Sequence, residues 1–158
     1  LDGDDRIQLA KNALVPAIRE GGAGNDRLSG GGGPSILLGG PGDDSLTGGD
    51  GRNVLIGGEG RDRVNGRTDE DLHMGGRTAF DGNLAELLQI LTEWTSADSY
   101  AVRVDKLRNG TGGLPKLDNT TVVDDGTVDT LQGNQGLDWF FIGTGDKTPG
   151  MKPTEQMN

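Results

Sequence analysis

The stretch that decides the fold runs from Gly21 to Gly66. In blocks of nine it reads GGAGNDRLS, GGGGPSILL, GGPGDDSLT, GGDGRNVLI and GGEGRDRVN, then Gly66. Every block opens with Gly-Gly and carries Gly at its fourth position. The eighth position is Leu28, Leu37, Leu46, Leu55 and Val64; the sixth is Asp26, Ser35, Asp44, Asn53 and Asp62. A flexible glycine-rich linker has no reason to hold a hydrophobe at every ninth residue, so the beat marks a repeat architecture. The last three positions of a block make a very short strand, its middle residue on one face and its neighbours on the other. The first six make a tight turn in which glycine permits positive φ.

Composition sets the wider bounds. Glycine is 30 of 158 residues, hydrophobic residues are 31%, and the net charge is −10. That balance leans toward disorder unless something offsets the acidic charge, as a bound cation would. Phosphates repel such a chain, so nucleic acid is a poor partner. The absence of cysteine removes both a disulfide framework and thiolate metal sites. No run approaches the roughly 18 apolar residues of a membrane span. Leu1 falls inside what reads as a repeat, so the expectation is a fragment or a processed product.

Five tandem units of the form GGxGxDxUx resemble the RTX (hemolysin-type) calcium-binding nonapeptide repeat. The resemblance implies an all-β-dominated fold, a right-handed parallel β-roll in which two nonapeptides form one coil. Turns 18 residues apart in the sequence then stack at about 4.8 Å, with several calcium ions held between them. Asp carboxylates and backbone carbonyls suit the six to eight oxygens that calcium takes. Carried onto this chain, the implied metal residues are Gly21, Gly22, Gly24 and Asp26, then Gly39, Gly40, Gly42 and Asp44, then Gly57, Gly58, Gly60 and Asp62, all on one edge. The other edge carries Ser35, Asn53 and Asp71, the last in the looser unit GRTDEDLHM. Asp5, Asp129 and Asp138 hold the sixth position in partial repeats. Calcium affinity rises with ligand charge, so the Asp26–Asp44–Asp62 edge is expected to load well and the Ser35–Asn53 edge weakly or in part. Asn25, Asp43, Asp50 and Glu59 read as solvated turn positions.

The outward strand positions separate two sheets. Around Leu28, Leu46 and Val64 they are Arg27, Ser29, Ser45, Thr47, Arg63 and Asn65; around Leu37 and Leu55 they are Ile36, Leu38, Val54 and Ile56, followed by Leu72 and Met74. The second sheet is apolar on both faces and must be covered. After Gly76 the beat stops. Leu84, Leu87, Leu88, Leu91 and Trp94 fall at helical spacing, with Asp81 or Asn83 as N-cap. A second stripe holds Tyr100, Val104 and Leu107, with Ser96 or Asp98 as cap and Gly110 as stop. These helices are the expected cover. The beat then returns at Val122, Leu131 and Phe140, with Trp139 and Phe141 extending the apolar face. At the start, Ile7 precedes Leu28 by 21 residues, which predicts an irregular first coil with a strand near residues 17–19. The organisation expected is a roll over 1–76, a two-helix insertion and loop over 77–116, a resumed roll and cap over 117–147, and a flexible tail over 148–158.

Catalytic chemistry finds no foothold. One histidine and no cysteine exclude HExxH zinc sites and Cys-His pairs, and no GxSxG elbow occurs. The pairs Asp43-Asp44 and Asp124-Asp125 lie on turns, and no GK[ST] follows the glycines to make a phosphate loop. His73 reads as a half-buried residue near the junction of roll and helices. We assign no catalytic residue. The order of roll, helix and TTVVDDGTVDTLQGNQGLDWFF also resembles the C-terminal region of large secreted bacterial RTX proteins. It implies a secreted or cell-surface structural module, exported by type I secretion and folded by calcium outside the cell. A self-assembling subunit of an extracellular filament or surface layer, joined through roll ends or the apolar face, is the competing expectation. An accessory domain of a secreted hydrolase or adhesin is the third.

Overall fold

Short strands joined by glycine turns force the chain to alternate between two sheets. The computed structural model describes residues 2–157; Leu1 and Asn158, the last residue of the expected tail, lie outside the described residues. One sheet has the order β1 (Arg6–Gln8), β3 (Arg27–Ser29), β5 (Ser45–Thr47), β7 (Arg63–Arg67) and β11 (Thr130–Asn134). The other runs β2 (Ala17–Glu20), β4 (Ser35–Pro41), β6 (Val54–Glu59), β8 (Leu72–Met74), β12 (Trp139–Phe141) and β13 (Gln156–Met157). Every pairing within both is parallel. The result is a β-solenoid of about four turns carrying two helices, the β-roll expected from the repeat.

Register follows the nonapeptide. Leu28, Leu46, Val64 and Leu131 are successive partners in the first sheet, and Leu37, Leu55, His73 and Phe140 in the second. The offset between stacked turns is 21 residues at the first coil, 18 through the repeats and 67 across the insertion. The eighth-position residues Leu28, Leu37, Leu46, Leu55, Val64, Leu131 and Phe140 form a closed inner core between the sheets.

A second core lies outside the second sheet. There Ile36, Leu38, Val54, Ile56, Leu72 and Met74, with Trp139 and Phe141, meet α1 (Leu84–Trp94) and α2 (Tyr100–Asn109). Each such aliphatic burial stabilises by about 1.5–3 kcal/mol. The buried face of α1 is Leu87, Ile90, Leu91 and Trp94. Leu84 and Leu88, expected on that stripe, are 58% and 42% exposed, because a helix packed on one sheet buries only one narrow stripe. Asn83 is the N-cap and accepts from Glu86 N–H, while its amide donates to the Glu86 carboxylate at 2.6 Å. The N-cap residue of α2 is Ser99, not Ser96 or Asp98, and Gly110 ends it in the left-handed conformation (φ 64°).

Two other positions depart from expectation. Val122 is not an inward roll residue. It lies in β10 (Val122–Val123), which pairs antiparallel with β9 (Arg77–Thr78) and clasps the two ends of the insertion together. The turn before it lacks the glycine set, so the roll resumes only at Thr130. The tail, expected to be flexible, continues the roll: β13 adds to β12, and just before it Leu131 N–H donates to Lys147 O at 2.8 Å. Ile142 and Met151 pack against the inner core at this end.

The helices are also fixed by charge. Arg103 on α2 is fully buried, its guanidinium 4.9 Å from the Trp94 ring centroid and 2.6 Å from Trp94 O. It ion-pairs with Glu70, which also meets Arg52 Nε at 2.9 Å. Trp94 Nε1 donates to Glu70 O at 2.9 Å, and Tyr100 Oη donates to Asp138 O at 2.7 Å. Both acceptors lie on the Ser35–Asn53–Asp71 edge. Removing one member of a buried ion pair costs about 3–5 kcal/mol. Glu70 keeps Arg52, so Arg103→Ala is expected to lose about 3 kcal/mol in urea denaturation, whereas Arg52→Ala, at a half-exposed site, loses less than half of that.

Candidate metal sites at the turn edges

Each sixth-position carboxylate does two things. Its Oδ1 accepts the backbone N–H of the sixth residue one coil earlier. Asp5 N–H donates to Asp26, Asp26 to Asp44, Asp44 to Asp62, Asp62 to Asp129 and Asp129 to Asp146, at 2.7–2.8 Å throughout. Its Oδ2 is left over. In Asp26, Asp44, Asp62, Asp71 and Asp138 this second oxygen is buried and has no hydrogen-bond partner. A buried, unsatisfied carboxylate oxygen is costly, and each of these needs an explanation.

The glycines show where these oxygens point. A Cβ placed on Gly21, Gly39 or Gly57 would lie deep inside contact distance of Oδ2 of Asp26, Asp44 or Asp62 respectively. The same Cβ on Gly39 or Gly57 would also strike the carbonyl of Gly57 or Gly75, one coil on. Carboxylate and carbonyl oxygens thus converge on a cradle that exists only because the first position lacks a side chain. The second position does other work. Gly22, Gly40 and Gly58 have φ of 104–118°. In the looser units Arg67 and Asn134 take the same place at φ 81° and 73° without being glycine. All five of these turns end in Asp. The turns that end in Ser35 and Asn53 have Gly31 and Gly49 there, and neither has positive φ. Turn conformation therefore tracks the sixth residue more closely than the glycine.

The second edge is built differently. Ser35 N–H and Oγ both bond Asn53 Oδ1, and Asn53 N–H and Nδ2 both bond Asp71 Oδ1. Amide and hydroxyl groups satisfy one another here, and the orphan oxygens begin only at Asp71. Asp71 N–H donates to Asp138 Oδ1 at 2.7 Å. Glu155 follows in the same register, since Gln156 pairs with Trp139. Among the residues expected at the sites, Asp26, Asp44, Asp62 and Asp129 share one edge, Asn53, Asp71 and Asp138 share the other, and Asp5 heads the first ladder half-buried. Asn25 and Asp43 are exposed, yet they stack too: Asp43 N–H donates to Asn25 Oδ1 at 2.8 Å. Sequence reading missed Asp146 and Glu155, which lie outside any nonapeptide; the fragment GTGD at Gly143–Asp146 was the only signal. His73 is not half-buried but wholly enclosed, stacked on Phe140 at 4.8 Å.

Stacking anions in a dry edge shifts their protonation. Burial, with neighbouring carboxylates adding to it, pushes Asp62 up to about 8 and Asp44 and Asp129 up to about 6, and raises Asp71 well above the carboxylate range. The folded state then holds protons that the unfolded chain releases. Without a metal, this stabilisation is full below about pH 4, the unfolded carboxylate value, and is lost as pH rises toward 8. Metal-stripped protein should be more stable at pH 5 than at pH 8 in urea denaturation; equal stability at both would contradict the burial of these groups. Gly39→Ala fills the cradle and should cost about 1–3 kcal/mol, as overpacking does, while Gly82→Ala, in open space, should cost far less.

No curated protein and no solved structure gives a significant match to the chain. Residues 20–37 and 38–72 match the RTX calcium-binding nonapeptide repeat, in four copies. The segment from residue 20 to residue 72 is therefore a run of RTX calcium-binding repeats, and it is the part of the chain that supplies the Asp26–Asp44–Asp62 edge.

Proposed function

We propose that this chain is an extracellular calcium-binding structural module whose folding is driven by calcium after secretion. The observation that carries the reading is the row of buried Oδ2 atoms on Asp26, Asp44 and Asp62, each without a hydrogen-bond partner and each facing a glycine cradle shared with carbonyls of the next coil. The donor set is all oxygen and anionic, which fits a hard divalent cation. When bound, calcium supplies positive charge and coordination to oxygens that would otherwise oppose folding. Asp26, Asp44, Asp62 and Asp129 hold it by carboxylate, and the glycine carbonyls complete the cage. The Ser35–Asn53 turns already satisfy themselves and take it weakly.

Binding to the native state alone stabilises that state by mass action, and each filled turn orders the next, as in other repeat arrays. Where calcium is scarce, like charges one coil apart keep the chain loose, which suits export before folding. No described helix is long and apolar enough to cross a membrane. Assembly into a filament is the second reading. It rests on the parallel strand pairing of the two sheets, which can be extended by a further coil at β1 and β2. Open strand edges of this kind invite pairing. The same module would serve equally as an accessory domain of a secreted hydrolase or adhesin.

Calcium titration of the stripped chain, followed by circular dichroism and light scattering together, tests these readings. Cooperative gain of β signal at constant monomer size supports the folding module; growth in size with folding supports assembly; a fully folded chain indifferent to calcium ends both. Asp44→Asn should weaken calcium affinity about tenfold, or 1.4 kcal/mol, with Asp50→Asn, at an exposed turn position, close to unchanged.

A further inference from the structure

His73 stands where the inner core otherwise holds a hydrophobe, between Leu55 and Phe140 in register. It is 0% exposed, and neither ring nitrogen makes a hydrogen bond. A buried imidazole of this kind usually donates or accepts at least once. On one side of it lie Asp71 and Asp138, both fully buried, each with Oδ1 occupied by a backbone N–H and Oδ2 free. Nε2 is 3.9 Å from Asp138 Oδ1, and one ligand atom from each residue fits within a span of 4.8 Å. Three enclosed side chains with unpartnered polar atoms thus each bring one ligand atom to the same place in the roll.

The geometry points to a second kind of metal site here, formed by Asp71, His73 and Asp138 and taking a transition-metal dication such as Zn2+. Calcium is a hard ion that selects oxygen, whereas imidazole nitrogen with carboxylates suits zinc and its neighbours. Charge also balances, since two carboxylates and a neutral imidazole compensate a dication in a region with no solvent. The carboxylates are held in place by the N–H groups of Asn53 and Asp71. The ring is fixed by stacking on Phe140 at an interplanar angle of 15°. A tetrahedral zinc with bonds of about 2.0–2.2 Å holds its ligand atoms about 3.4 Å apart, so side chains whose ligand atoms lie within 4.8 Å of one another would draw closer together on binding. The site joins the last unit before the insertion to the first coil after it, so the ion would tie the two halves of the roll together.

The site is enclosed, so metal must be present during folding. The stripped chain is refolded in saturating calcium with and without one equivalent of Zn2+. The proton on Cε1 of the only histidine is then followed by NMR, and retained zinc is measured after gel filtration. The expected result is a shifted histidine resonance in slow exchange and one zinc retained per chain. His73→Leu restores the hydrophobe of the neighbouring coils; it should keep calcium-coupled folding and lose that equivalent. A folded chain whose histidine resonance ignores zinc overturns the proposal, as does equal zinc retention by His73→Leu. Calcium-dependent circular dichroism scores the calcium reading separately, so zinc can fail without touching it.

Discussion

The interaction on which everything else rests is the hydrogen bond from one sixth-position N–H to the carboxylate of the next coil. It recurs from Asp5 to Asp146 along one edge. Each bond fixes a turn against its neighbour, which sets strand register, which in turn aligns Leu28, Leu46, Val64 and Leu131 into a core. The cost is a line of buried anions whose second oxygens have no protein partner. Burial of this sort is tolerable only with a counter-charge, and so the same bond that orders the backbone creates the demand for cations.

The two edges meet that demand differently. On the Asp26–Asp44–Asp62 edge the protein offers carboxylate and carbonyl oxygens to a cation. On the other, Ser35 and Asn53 replace charge by mutual hydrogen bonds, and the helical insertion brings its own cation: Arg103 reaches Glu70 while Trp94 and Tyr100 hold backbone carbonyls of the same edge. Arg52, on a repeat turn, reaches Ser96 O at 2.9 Å. The helices are thus more than a cover for the apolar sheet. They brace an edge that the repeats alone leave short of ligands.

How far the sequence could be read follows from where periodicity ends. The strands, the two-core arrangement and the helix cover are local consequences of the nine-residue beat and of helical spacing, and these were legible. Asp146 and Glu155 were not, because they reach the ladders through irregular chain that carries no repeat. Val122 fits the period yet sits in a clasp, since spacing says nothing about which partner strand is near. Arg67 and Asn134 show that the turn can be imposed without glycine, so glycine count misjudges which turns share a conformation. His73 looked like an ordinary substitution of a hydrophobe; only the enclosure of both nitrogens gives it meaning.

The β9–β10 clasp brings Thr78 and Val122 side by side. Seen from the roll, the whole insertion is a side branch rooted at a single point, and its contour length never enters the stacking register. The entropy of closing such a branch grows only slowly with its length. The clasp therefore works as a graft junction: a different segment could be spliced between these two residues without resetting the coils, provided it presents an apolar surface to the second sheet and a cation to Glu70.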